Sequence, residues 1–260
     1  MSIHQPTTQD YRIWPAYCFP KSHTYKDWVK LTAADVQALR SEPAFQSQHI
    51  YFHLNHPICY VRLVGVVVAI DDINLKYTVL TIDDGSGATI ELKIVRLTAD
   101  IYNAAKHPSN TTVGNVDVVS ALGVFEVMIG GEQVDIGTVV KAKGTISEFR
   151  GAKQIELKRA WIVRTTDEEA QAWSEMAKFK KDVLSKPWRL TSTEHKQILK
   201  DMKKEKKKQE EYEEYKRAKA AHEAKKAARR KVEEKERERK EAKLESRRRK
   251  EEVIMNAGAL

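Results

Sequence analysis

Two cysteines in 260 residues, Cys18 and Cys59, leave no spacing for a zinc site or a disulfide framework, and such sparse usage fits a reducing compartment. No apolar run approaches the ~20 residues that a membrane helix needs, and the amino terminus shows no basic-then-apolar leader. A soluble intracellular chain with no membrane partner is therefore expected. The phosphate-cradling loop Gly-x-x-x-x-Gly-Lys-Ser/Thr is missing, and Gly85-Ser86-Gly87 is too short to replace it. His49, His53 and His56 cluster, but without cysteine or a His-x-x-x-His spacing they make a weak metal set. The carboxylate pairs Asp71-Asp72 and Asp83-Asp84 sit among turn formers, where turn chemistry accounts for them more cheaply than metal binding or acid–base work. The residues thus give no footing for an enzyme, a metal or a cofactor.

What the chain does carry is unevenly spread. Of its 46 basic and 37 acidic side chains, 26 and 16 lie from Lys186 to Leu260, a net +10. The remaining 20 and 21 leave Met1 to Ser185 at −1. The basic character belongs to the tail, so whole-chain charge says nothing about what the body binds. Nearly all valine and isoleucine fall in the body, which is long enough for one core.

Within that body, Val61 to Gly87 holds two β-branched runs around a polar turn at Asp71, Asp72 and Asn74. They read as two long paired strands. Gly65 interrupts the first run, where glycine marks a bulge or bend. Thr89 to Val95 alternates again, with Ile90, Leu92 and Ile94 on one face. A bent strand entering a three-stranded meander is how a Greek-key barrel of the OB type begins. Strands four and five are expected at Val139–Ile146 and Gln154–Val163, joined by a loop from Ser147 to Lys153. The fold class is mainly β: a five-stranded OB barrel over 58–165, with an N-terminal extension, a C-terminal helix and a charged helical tail.

The other segments are read around that barrel. Residues 1–57 are too aromatic for a free tail and are expected to pack on it. They include a short helix at Thr32–Arg40 that is capped by Thr32 and turns Val36 and Leu39 inward. Residues 97–137 read as an insertion, with a helix at Thr98–Ala105, a loop to Asn115 and an apolar stretch from Val116 to a Gly130-Gly131 turn. Residues 166–186 read as a helix opened by a capping box from Thr166 to Glu169. Its stripe of Ala172, Trp173, Met176, Phe179 and Val183 either packs back on the barrel or meets a partner. Residues 187–260 read as a solvated, partly disordered single helix. A second capping box at Thr191–Glu194 opens it, acid-first i,i+4 pairs such as Glu213–Arg217 support it, and it has too few apolar residues for a coiled coil. Its basic clusters suit nuclear import or weak phosphate contacts.

Single-strand binders need cations that follow phosphates and aromatic rings that stack bases. Candidates on the expected outer faces are Lys76, Tyr77, Lys93, Lys141 and Lys143, with Phe149, Arg150 and Lys153 from the loop between strands four and five. The competing reading of each is an ordinary solvated surface.

Three blocks, His23-Thr-Tyr-Lys-Asp-Trp-Val-Lys-Leu31, Asn55-His-Pro-Ile58 leading into Val61-Arg-Leu-Val-Gly65, and Thr81-Ile-Asp-Asp-Gly-Ser-Gly87, together resemble the fungal Stn subunit family of the CST telomere-capping complex. The resemblance covers roughly Tyr11 to Leu190. It implies an OB fold, a following helix that pairs with the small Ten-like OB subunit, a third CST subunit, binding of telomeric single-stranded DNA, no catalysis, and a place at the telomeric region of chromosomes in the nucleus. It also assigns the Trp173–Phe179 stripe to the Ten-like partner. The glycine-serine turn alone is shared with the middle subunit of replication protein A, which is one alternative. A protein–protein adaptor barrel that never touches DNA is the other. Winged-helix modules, frequent after the barrel in the family, are replaced in this sequence by the charged tail.

Overall fold

The computed structural model describes residues 11–74, 76–97, 107–121 and 124–257. It divides into two compact units, Met1–Leu190 and Thr191–Leu260. In the first, the aromatic lead-in is a built part of the core. Strand β1 (Val29–Lys30) is followed by helix α1 (Ala33–Ala38) and a small sheet of β2 (Arg40–Ser41), β3 (Tyr51–His53) and β4 (His56–Ile58). Thr32 caps α1 by accepting from the Asp35 N–H at 3.0 Å, and Val36 and Leu39 are buried as their spacing requires. Cys18, Phe19 and Phe52 are fully enclosed, and Phe19 packs against Tyr25, Phe45 and Phe52 with ring centroids 5.1–5.9 Å apart.

The barrel follows. Its strands are β5 (Tyr60–Ile73), β6 (Tyr77–Asp83), β7 (Thr89–Val95), β11 (Val139–Phe149) and β12 (Ala152–Ile162). The order runs β1-β5-β11-β12-β7-β6, and β6 pairs again with β5, so the sheet closes on itself. Strand β5 achieves this by changing partner along its length: residues 60–66 face β11 and residues 66–73 face β6. Gly65 lies at the change. A Cβ there would stand 2.7 Å from the Asp83 carbonyl oxygen, so the glycine is needed for close backbone approach. The bulge itself falls two residues later, between Val67 and Ala69. The β7–β12 pair is parallel and the other four barrel pairings are antiparallel. Strand β1 adds a short parallel pairing to β5 that periodicity does not reveal, since two residues have no period.

Between β7 and β11 the apolar stretch of the insertion resolves into a second three-stranded sheet, β8 (Val116–Ala121), β9 (Val124–Ile129) and β10 (Glu132–Val134). Val116, Val118, Val127, Ile129 and Val134 from this sheet join the same buried cluster as the barrel strands. Asn110 fastens the preceding loop to β8: its side-chain Nδ2 donates to the Val118 carbonyl at 2.8 Å and its Oδ1 accepts from the Val118 N–H at 2.9 Å. The helix expected at Thr98–Ala105 lies outside the described residues.

Two local expectations shift. Asp71 and Asp72 belong to β5, not to a turn, and Asp72 pairs with Arg96 at 2.8 Å. The expected loop from Ser147 to Lys153 shrinks to a two-residue turn, Arg150-Gly151, both at positive φ, with Ser147, Phe149 and Lys153 inside strands.

Helix α2 (Thr166–Phe179) leaves the barrel after β12 and passes into a π-turn at Lys180–Leu184. Its cap is Thr165, one residue earlier than the Thr166 box: the Thr165 side chain accepts from the Glu168 N–H at 3.2 Å. The end of the unit is tied back by Asn55, whose Oδ1 accepts from the Trp188 N–H at 2.7 Å. Its Nδ2 donates to the carbonyls of Trp188 at 2.9 Å and Arg12 at 3.1 Å. The Nε2 of His56 meets the Lys186 carbonyl at 2.8 Å.

The second unit is one helix, α3 (Ser192–Ala257). Its capping box is complete, with Thr191 N–H donating to the Glu194 carboxylate at 2.9 Å and Glu194 N–H to the Thr191 hydroxyl at 3.3 Å. Ion pairs one turn apart, Glu245 with Arg249 and Arg247 with Glu251 among them, run along it. Among the described residues, no helix is long and apolar enough to cross a membrane.

Candidate nucleic-acid interface

The outer faces of β5, β11 and β12 meet on one side of the barrel, where Arg62, Lys141, Lys143, Arg159 and Trp161 come together. In register, Lys141 stands opposite Trp161 on β12 and Val64 on β5, while Lys143 stands opposite Arg159 and Arg62. The Lys141 ammonium lies 5.7 Å from the centre of the Trp161 ring. That of Lys143 lies 5.5 Å from Trp161 and 5.6 Å from Trp28. Trp28 meets Tyr60 edge-on at 5.3 Å, extending the row of rings towards the start of β5. Trp161 and Tyr60 are each 38% exposed, enough to offer a ring face to a ligand. Partial burial, and then the charges of Arg62, Arg159, Lys141 and Lys30, hold the Lys143 ammonium below the usual lysine range. That crowding marks a positive field. Glu175 of α2 neutralises one end by pairing with Lys30 at 3.0 Å and Arg62 at 2.9 Å. Among the described residues no ion pair engages Lys141, Lys143 or Arg159.

The other expected residues are distributed differently. Lys93 lies over the Tyr77 ring at 4.1 Å, with exposed Lys76 just before it, forming a separate patch on β6 and β7. Glu156, in register with Lys93, stands between this patch and the first. Phe149 is 54% exposed at the turn, with the Arg150 guanidinium 5.0 Å from its ring. Lys153 is committed elsewhere: its ammonium donates to the Gln37 carbonyl at 3.0 Å, and its backbone exchanges two hydrogen bonds with the Gln37 amide. It is an anchor for α1 and not a free cation.

Sequence reasoning missed Trp161, Arg159, Trp28, Tyr60 and Arg62. Ile155 and Leu157 point inward, and strict alternation would send Arg159 and Trp161 inward as well. A register shift at Lys143/Gly144 reverses the phase, so Ala160 is the buried residue and its neighbours face out.

Asp72, Asp83 and Asp84 make structural contacts, Asp72 with Arg96 and Asp83 with the Gly85 N–H. Asp84 accepts from the Ala33 N–H at 2.7 Å and Ser86 from the Ala34 N–H at 3.1 Å, so this turn docks on the first turn of α1. Burial lowers the basicity of His53 and His56. Among the described residues, no three His, Cys, Asp or Glu side chains converge as metal ligands.

The α2 stripe is divided. Phe179 and Val183 pack against the barrel core, and Ala172 and Met176 line a narrow crevice with Leu31, Arg62 and Val64. Trp173 borders the same crevice yet stays 46% exposed.

A closed five-stranded Greek-key barrel with a parallel β7–β12 pair is an OB fold, and Lys141, Lys143, Trp28 and Trp161 lie together on one outer face of it. A family model described as Telomere regulation protein Stn1 matches residues 42–259. The chain belongs to that family. Protein stn1 of Schizosaccharomyces pombe is 26% identical over 181 residues, covering 70% of this chain and 46% of its own length. The chain thus spans about half the length of that curated relative. Among solved structures, one of yeast Stn1 and Ten1 is similar at a TM-score of 0.50 and 17% identity, covering 73% of this chain and 91% of that one. One of the S. pombe Stn1-ten1 complex is similar at 0.44 and 21% identity, covering 62% and 96%. A replication protein A heterotrimer bound to single-stranded DNA is similar at 0.41 and 13% identity, covering 61% and 98%.

Proposed function

We propose that this telomere regulation protein is a capping subunit that holds single-stranded telomeric DNA on the β5–β11–β12 face. It works as a heterodimer with a small Ten-like OB protein, joined by a third CST subunit, at chromosome ends in the nucleus. The observation that carries the DNA reading is Lys141, Lys143 and Arg159 standing, among the described residues, without ion pairs beside exposed Trp161. Phosphates supply the missing anions and bases stack on the rings. In this reading the barrel region 58–165 carries the strand, helix 166–186 offers Trp173 to the partner, and 187–260 is a charged arm.

Binding of a fluorescent single strand, measured against salt, tests it. Removing Lys141, Lys143 and Arg159 together should weaken binding and flatten the slope of log affinity against log salt by roughly 2, at about 0.7 per phosphate contact. An unchanged affinity and slope would refute the site and leave the adaptor reading.

A further inference from the structure

The start of the aromatic lead-in and the end of the first unit meet in a cleft of about 240 Å³, lined in part by Tyr11, Arg12, Trp14, Pro187, Trp188 and Arg189. None of its lining residues belongs to a barrel strand, which sets it apart from the platform of Lys141, Lys143 and Trp161. One buried side chain ties the two segments together. Asn55 donates to the Arg12 carbonyl at 3.1 Å and to the Trp188 carbonyl at 2.9 Å, so both walls are held at the backbone. A site held in this way needs little ordering when something binds to it.

The charge of the cleft has one sign. Arg12 and Arg189 are exposed, and among the described residues neither joins an ion pair and no wall carries a carboxylate. The Arg12 guanidinium rests 3.7 Å from the centre of the Trp14 ring. A guanidinium resting on a ring keeps the donors along its edge free, in the fork that matches a carboxylate. Arg40 donates to the Tyr11 hydroxyl oxygen at 3.2 Å, which leaves the proton of that hydroxyl for an acceptor. Beside these donors the walls are apolar, formed by Pro187, Leu190 and the two tryptophans. The features fit an anion joined to an apolar group. Trp14 and Trp188 are each 8% exposed, against 38% for Trp161, so they offer no ring face on which a base could stack. The volume is also below the ~300–1,000 Å³ of small-molecule sites, with room for a side chain or two. We infer that this cleft docks an acidic segment of a partner protein, with a leucine-sized side chain against Pro187, Trp188 and Leu190 and flanking carboxylates on Arg12 and Arg189. Arginine and tryptophan are the residues that most often anchor contacts of this kind.

The experiment uses the full chain and three fluorescent peptides of equal length with glycine-serine flanks. One has a Glu-Leu-Glu core, one replaces the leucine with glycine, and one replaces both glutamates with glutamine. The first should bind about tenfold more tightly than either of the others, since each lacks one of the two contacts. Arg12→Gln together with Arg189→Gln should erase that difference, and a thermal melt checks that the variant remains folded. Arg12→Lys keeps the charge but loses the fork, and it should give an intermediate affinity. A fluorescent thymine strand should bind the double variant as it binds the unaltered chain. Equal affinity for the two acidic peptides would overturn the proposal, because attraction to the basic tail does not distinguish leucine from glycine. Failure of all three to bind, or a preference for the first peptide that survives the double change, would overturn it as well. Strand binding that falls as far as peptide binding would assign these arginines to phosphates and sink the protein-docking reading.

Discussion

Asn55→Ala should be among the most damaging single changes available in the first unit, although Asn55 touches no part of the proposed nucleic-acid interface. The side chain is 2% exposed and makes three hydrogen bonds to backbone: Trp188 N–H, Trp188 carbonyl and Arg12 carbonyl. Alanine removes all three at once and leaves those groups enclosed. A typical hydrogen bond contributes ~0.5–1.5 kcal/mol, and a buried group left unsatisfied costs ~1–3 kcal/mol. Two of the three partners belong to Trp188, itself 8% exposed, so little water can replace them. We therefore expect a loss of about 3 kcal/mol. For a unit of this size, 1 kcal/mol moves the melting temperature by ~2–4 °C, so the shift should be about 6–12 °C. The assay is a urea or thermal melt followed by tryptophan fluorescence, in which Trp14 and Trp188, with ring centroids 6.2 Å apart, report the clamp directly. Asn55→Asp keeps the acceptor for Trp188 N–H but cannot donate, and it should lie between wild type and alanine. A loss under about 1 kcal/mol for Asn55→Ala would show that the 186–190 segment is not held by these bonds.

Gly144→Ala should also be severe, because a Cβ there would overlap the Glu156 carbonyl and the Ile155 side chain at the β11–β12 register shift; soluble expression with a wild-type melt would refute the need for glycine. Trp173→Ala should leave the melting temperature nearly unchanged, since the ring is 46% exposed, yet weaken capture of a Ten-like OB partner, whereas Phe179→Ala should destabilise the unit through lost packing. The reverse pattern would assign the partner to another surface. Burial lowers the proton affinity of His56 below the imidazole value of 6.5, against the opposing pull of the Lys186 carbonyl. The unfolded chain then takes up a proton that the folded chain resists, so stability present above pH 6.5 should fall as the pH drops through the folded value. His56→Gln should flatten that decline in a pH series of melts, and an unaltered slope would assign it elsewhere.

Long alternating runs are the most legible part of the sequence. Val61–Ile73, Thr89–Val95 and Val139–Ile146 each bury one face, and period two is enough to find such strands. Where a strand is too short to show a period, as in β1, or changes phase at a bulge, as in β12, the pattern fails. The site suffered most, because Arg159 and Trp161 follow the bulge and Trp28 comes from a segment with no alternation. Lys153 shows the opposite failure: its identity suits phosphate binding, but its contacts with Gln37 depend on where α1 comes to rest.

The two bonds between Asn110 and Val118 bear on how this protein can assemble. Barrel closure between β5 and β6 leaves those strands no open rim there, while β8 borders its small sheet and is six residues long. An outer strand with free N–H and carbonyl groups is a template on which another chain can extend the sheet. On β8 the Asn110 side chain occupies both groups of Val118, imitating one residue of a neighbouring strand. That position is closed to strand addition, which guards against edge-to-edge aggregation. A partner engaging this side of the molecule must then be recognised through side chains instead of borrowed backbone.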